Sequence, residues 1–379
     1  MIIQAAKAFQ DFIFNKCESF TKKKNWIILL AIFLPFMVLF FSFPSYERIY
    51  TEFAEGWQAI LKQAHNPFVN YNYEPNSHQA KLTFRLTMPI IANVLNLGVK
   101  GILLFQGLLG IFLFYFSTKL FERITEDKVS ALLLTFSLAF ICAGRVSFTE
   151  LRGVFDGLSL FFLVVSMYFK NPFLIFAGVF LSSWTDERGL IASSIVYLFW
   201  MYSKDSSGTK IFNKQTIAIL VAWITYFISR YFVAVIFNLP TNTVDVLHYF
   251  IEQTNNLPIG VWSALEGNWI LILISLFILF KQKKYLFSVF YISTISFLLF
   301  VAMSVNDITR SMAYLLPAMF LSLLVIKEVE TKKTVRQIIL LAVIISFIYP
   351  AYISAGDYHI NWNYPLPLQL LRHLFASGK

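Results

Sequence analysis

The chain runs to 379 residues, of which 58% are hydrophobic and only 14% charged, against about 25% charged in a soluble domain. Its apolar runs approach the roughly 20 residues a helix needs to cross a bilayer, and the alternating pattern of a membrane β-barrel is missing, so a soluble domain and a barrel are both excluded. The net charge of +10 comes from lysines beside the apolar runs; an anionic membrane surface accounts for them and no nucleic-acid partner is expected.

What remains is an all-α polytopic membrane protein, a bundle of about 11 transmembrane helices with amphipathic interfacial helices in its first outer loop. Residues 1–25 read as an amphipathic cytoplasmic leader anchored by the basic "TKKK". Lys7, Asp11, Lys16 and Glu18 interrupt it, which is wrong for a cleavable signal and right for a helix lying on a membrane surface. Residues 26–353 form one transmembrane domain, with spans expected near 26–43, 99–118, 129–143, 155–169, 172–184, 188–202, 215–238, 269–280, 285–303, 312–326 and 337–353. With the N-terminus inside, the short lysine-rich connections all fall on the cytoplasmic face, as the positive-inside rule requires. Cys17 and Cys142 then lie on opposite sides, which excludes a disulfide between them. The localisation expected is a multi-pass plasma (inner) membrane protein with an extracytoplasmic tail, 354–379.

The outer face gathers the unusual residues. The first outer loop, 44–98, opens on "PSYERIYTEFAEGWQAILKQA", whose apolar positions recur at helical spacing, so an amphipathic helix is expected there, flat on the membrane interface, with Ser45 as N-cap and Glu47 in its first turn. "HNPF" breaks it, and a stretch near 82–98 returns to the membrane. The next outer connection, "GRVSFTELRGVFDGL", packs Arg145, Glu150, Arg152 and Asp156 together. "LSSWTDERGLIASS" sets Asp186, Glu187 and Arg188 in the tight turn of a helical hairpin, with Gly189 helping the chain reverse. Those charges are either a solvated turn or a charged site beside the bundle. Residues 239–268 form a second long outer loop, and "FISRYF" places Arg230 within a span, either snorkelling or in one buried pair. In "SVNDITRSMAYLLPAM", Asp307 and Arg310 stand i, i+3 and can pair on one helical turn. Ionisable residues at membrane level are usually paired or functional.

The order of these features, from the first span through "NPF" and "RLTMPIIANVL" to "FDGLSLFFLVVSMYFKNPFLIFAGVFLSSWTDERGLI", resembles the multi-spanning GT-C-fold glycosyltransferases, over roughly residues 26–200 in organisation. The resemblance implies an enzyme that moves a sugar from a polyprenyl-phosphate-linked donor to a glycan, lipid or protein acceptor on the extracytoplasmic face. It implies a carboxylate base shortly after the first span. Family members commonly place Asp there; here the candidates are Glu47 and then Glu52, with Asp156 orienting the acceptor or a metal. Arg310, Arg188 and Arg152 would hold the phosphate, and Asp186, Asp307, Arg85, His65 and His78 would complete the substrate site. No ligand spacing demands a metal, though the carboxylates leave room for a divalent ion; no cofactor is required. A lipid-linked oligosaccharide polymerase or ligase, and a glycolipid transporter or flippase, are the competing readings. No P-loop, GxGxxG, HExxH or GxSxG occurs, which disfavours a nucleotide-driven pump, a zincin and an α/β-hydrolase.

Overall fold

A computed structural model of the chain describes residues 2–42, 57–74, 77–151, 153–203, 211–239, 250–305, 307–348, 352–354, 360–362, 371 and 374–375. Glu47, Glu52, Arg152 and the proposed cap Ser45 lie outside the described residues. The described chain is helical apart from a three-residue antiparallel pair, β1 (Tyr352–Ser354) and β2 (Ile360–Trp362).

In chain order the helices are α1 (Ile2–Thr21), α2 (Trp26–Ser42), α3 (57–65), α4 (His78–Leu82), α5 (Thr87–Val94), α6 (Val99–Thr125), α7 (Lys128–Phe140), α8 (Cys142–Thr149), α9 (Asp156–Tyr168), α10 (Pro172–Thr185), α11 (Glu187–Ser203), α12 (Lys214–Ile236), α13 (Leu257–Leu265), α14 (Trp269–Lys281), α15 (Tyr285–Met303), α16 (Ile308–Met312), α17 (Leu316–Val329) and α18 (Lys332–Ile348). Among the described residues 5 helical segments are long and apolar enough to cross a membrane, or up to 7 if each sharply bent pair counts as one span. The chain is therefore a multi-pass helical membrane protein. Several of the remaining helices are short: α9 and α10 have 13 and 14 residues.

Local sequence sets the joints. Asp127 caps α7 by accepting from the Ser130 backbone N–H (3.1 Å), Asn171 caps α10 just before Pro172, and Asn213 forms a reciprocal capping box with Thr216 at the start of α12; each satisfies amide donors that a helix start leaves open. One large apolar cluster fills the bundle, with α17 at its centre: Leu316, Met319, Phe320, Leu323 and Ile326 are all fully buried.

Three sequence expectations change here. Of the helix expected after Ser45 only 57–65 falls within the described residues, and its apolar face (Trp57, Ile60, Ala64) packs into a protein cluster with Met88, Ile102, Phe155 and Leu158. The expected outer connection after α7 contains a helix, α8, bent 56° from α7, and it carries Arg145 into the interior. The expected outer loop 239–268 is helical from Thr254, and Thr254–Lys281 forms one candidate span whose regular helix is interrupted by a 3-10 turn at Glu266–Asn268. In each case buried apolar contacts draw in a segment that its turn-forming or charged residues mark as a loop.

Two charged layers bracket the apolar bundle. At the end where α9 finishes, Arg123 donates to the carbonyls of Met167 (2.8 Å) and Tyr168, and Arg336 of α18 grips both oxygens of Asp127 (2.7 Å each) and Glu18 of α1 (2.9 Å). The other layer, where α9 begins, holds the candidate site.

Candidate functional site at the convergent helix ends

Asp156 opens α9, where the helix dipole favours a negative charge. It is 2% exposed and both oxygens are occupied. Oδ1 accepts from Arg188 Nη2 (2.8 Å) and from the Tyr314 hydroxyl (3.0 Å); Oδ2 accepts from Arg310 Nε (2.6 Å). These partners come from α11, from the turn between α16 and α17, and from α16, so one carboxylate ties the ends of separate helices together.

Asp186 sits in the joint between α10 and α11. Its side chain folds onto the chain just beyond it, accepting from the Arg188 backbone N–H (2.9 Å) and from Arg188 Nε and Nη2 (2.7 Å each). Arg85, arriving from the first loop, adds Nη2 at 2.9 Å. Burial opposes the charge of Asp186, but the Arg188 and Arg85 guanidiniums outweigh it and hold the carboxyl well below the usual range. Arg188 completes its fork by donating from Nη1 to Ser311 Oγ (2.8 Å), with its guanidinium over the Tyr314 ring (5.0 Å to the centroid).

The network has looser edges. Asp307 caps α16 through the Arg310 amide (3.1 Å) but stands 3.8 Å from the Arg310 guanidinium. Glu187, 40% exposed at its side chain, is 3.9 Å from Arg85 Nε and pairs with Arg230 (3.0 Å). Arg230 also donates to the Tyr226 hydroxyl (2.7 Å) and lies over Phe84 (4.2 Å). Arg85 Nε makes no hydrogen bond among the described residues. The tightly held acids, Asp156 and Asp186, thus face three arginines, Arg188, Arg310 and Arg85. Glu187 and Asp307 stand at salt-bridge rather than hydrogen-bond distance from Arg85 and Arg310, and Glu187 is hydrogen-bonded to Arg230.

The structure brings together Asp156, Asp186, Arg188, Arg310, Asp307 and Arg85. His65 is exposed at the end of α3, where its backbone carbonyl accepts from Asn93 (3.1 Å); His78 opens α4. Of the "TDERG" turn, Asp186 and Arg188 are not solvated, at 2% and 7% exposed, and they lie in a buried ion-pair network, while the Glu187 side chain is 40% exposed. Gly189 does not reverse the chain. It is helical, and a Cβ there would come within 2.4 Å of Ser182 Oγ and 2.5 Å of Ser159 Oγ, so it is small because α9, α10 and α11 meet there. Arg230 is paired, with Glu187, but the pair is only part-buried, at 29% and 40% side-chain exposure. Sequence reasoning missed Tyr314, Ser311 and Tyr226. Phenols and hydroxyls carry no signal in a chain with 18 tyrosines.

Two neighbours complete the picture. A small open cleft of about 290 Å³ in the first loop is lined by Gln63, Tyr71, Tyr73, Gln79 and Thr83, and Thr83 is two residues from Arg85. At the 3-10 turn between α13 and α14, Glu266 is fully buried with φ +50, and neither carboxyl oxygen accepts a hydrogen bond among the described residues. Among the described residues no three His, Cys, Asp or Glu side chains form a metal-holding group, and both cysteines are free and buried.

No match to this chain is found among protein-family models, curated proteins or solved structures.

Proposed function

We propose that the protein is a membrane glycosyltransferase of the GT-C type. It would move a sugar from a polyprenyl-phosphate donor to a glycan, lipid or protein acceptor at the extracytoplasmic end of its bundle, the end that carries Asp156. The observation that carries this reading is the convergence of the Arg85, Arg188 and Arg310 guanidiniums on Asp156 and Asp186, together with the unspent Nε donor of Arg85. Forked, permanently charged donors suit the leaving phosphate of a lipid-linked sugar. A phosphate oxygen entering between Arg85 and Arg310 would displace Glu187 and Asp307 from their loose contacts and leave the tight pairs intact.

In this reading Asp156 is a positioning residue, because its oxygens are already taken by Arg188, Arg310 and Tyr314. The proton of the attacking hydroxyl goes to another carboxylate, for which Glu47, and then Glu52, remain the candidates by sequence. An Arg-held phosphate fits a mechanism that needs no metal, and a divalent ion would compete with the same arginines for it. The apolar tail would lie along the lipid-facing helices. The full count of about 11 spans and an inward N-terminus belong to this proposal.

A second reading has its own support. Secondary transporters build their substrate sites on interrupted helices, and Thr254–Lys281, one candidate span whose regular helix is interrupted at the buried Glu266, is compatible with that; the protein would then move a glycolipid across the membrane unchanged.

The test is to incubate membranes containing the protein with polyprenyl-phosphate-linked sugar labelled in the sugar. The transferase reading expects label on an acceptor and free polyprenyl phosphate, with turnover reduced at least about 100-fold in Arg310→Ala and in Glu47→Gln. Label that changes leaflet while staying on the lipid would replace this reading with the transporter.

A further inference from the structure

The leader helix α1 has two apolar faces, and the protein uses only one. Ile13, Phe14, Cys17 and Phe20 pack against the core beside α7 and α2. On the other side, Phe9 and Phe12 remain 52% and 56% exposed. The axis of α1 turns 115° from that of α2, so α1 runs across the end of the bundle rather than along it. Lys16 lies on the unused face, Lys22, Lys23 and Lys24 follow in the exposed turn, and Lys7 is exposed on another side of the same helix. Lys16 lies over the Phe12 ring (5.6 Å) and Lys23 over Phe20 (5.4 Å).

We infer that α1 is a recognition surface for anionic phospholipid: Phe9 and Phe12 enter the headgroup boundary while Lys7, Lys16 and Lys22–Lys24 bind acidic headgroups. The charge complementarity selects the occupant. A neutral bilayer would satisfy the two rings but leave five lysines with only Asp11 and Glu18 on the same segment, and Glu18 is already held by Arg336. Basic residues beside an inserted apolar face are what binds a helix to an acidic leaflet.

The Arg336 clamp gives this surface a fixed position. Arg336 joins Glu18 on α1 to Asp127 at the start of α7, and Lys332 reaches the same Asp127 (3.2 Å). Lipid that holds α1 down therefore also bears on α7 and α18.

The experiment uses the full chain in nanodiscs of neutral phosphatidylcholine or of the same lipid with about 30% phosphatidylglycerol, with backbone hydrogen exchange followed over residues 2–21. Anionic lipid is expected to slow exchange in α1 by about tenfold or more at low salt, and the difference should shrink at high salt. A variant with Lys7, Lys16 and Lys22–Lys24 changed to Gln should lose the difference between lipids while keeping the neutral-lipid protection. Phe9→Ser with Phe12→Ser should lower protection in both lipids. Equal exchange in both lipids, or a difference that survives in the lysine variant, would overturn the inference. Protection that appears only when two copies share a disc would overturn it in favour of a second chain as the occupant.

Discussion

A buried carboxylate with three donors on its two oxygens joins the helix ends that supply them, and the arrangement fails badly when one partner is lost. Asp156 is such a group, with Arg188, Arg310 and Tyr314 around it. Replacing Asp156 by Asn keeps the shape but leaves two buried guanidiniums short of charge, a loss of about 3–5 kcal/mol. Thermal unfolding in detergent should show a markedly lower midpoint, and an unchanged midpoint would remove Asp156 from the centre of the network. The same argument sets a pH dependence. Asp186 and Asp127 are held below their ordinary range, each against the opposing effect of its own burial, Asp186 by Arg188 and Arg85 and Asp127 by Arg336 and Ser130. A group whose folded value is depressed contributes stability above its unfolded value and loses it as pH falls. The unfolding midpoint is therefore expected to hold, as far as these two acids decide it, down to about pH 4 and to drop below that. A steady fall beginning near neutrality would assign the sensitivity to other groups.

Among the elements, the span Thr254–Lys281 is tightly constrained at its 3-10 interruption. Gly267 follows Glu266 at the break, its amide donates to Ser346 Oγ (3.0 Å), and a Cβ there would lie 2.1 Å from the Ala342 carbonyl oxygen. That neighbour is backbone and cannot rotate away. Gly267→Ala should thus push α18 off the break and cost about 1–3 kcal/mol or more, read as a lower unfolding midpoint. Glu266 itself accepts no hydrogen bond, so Glu266→Gln should stay within about 1 kcal/mol of the parent; a larger loss would reveal a partner for it. This element was poorly legible in the sequence. "NNLPIGVWSALEGNWI" mixes turn residues with apolar ones, and the turn residues dominated because the contacts that bury Glu266 come from α18, some 75 residues on. The helical hairpin α10–α11 was legible in place and hand, through Asn171–Pro172 at its start and the charged turn at its tip. The reason for Gly189 was not legible, because close packing against Ser159 and Ser182 cannot be seen along one chain.

On the scale of the whole molecule, composition alone gave a multi-pass helical membrane protein, since little else accommodates so few charges in so many apolar runs. The charges themselves located the site. Asp156, Asp186, Arg188, Arg310, Asp307 and Arg85 stand out because ionised groups at membrane level need partners, and residues needing partners on several helices must find one another. What could not be read was who pairs with whom: Arg310 is spaced to pair with its near neighbour Asp307, yet its shorter contact is with Asp156, far along the chain. The account's central claim is that Arg85 and Arg310 stand at the edge of this network with capacity for a lipid phosphate. Native mass spectrometry of the purified protein with polyprenyl phosphate, and with the matching polyprenol that lacks the phosphate, tests it most directly. The phosphate form should bind more tightly, and Arg85→Gln or Arg310→Gln should reduce that preference by about tenfold or more. Equal binding of the two lipids, or a preference that both variants retain in full, would contradict the account.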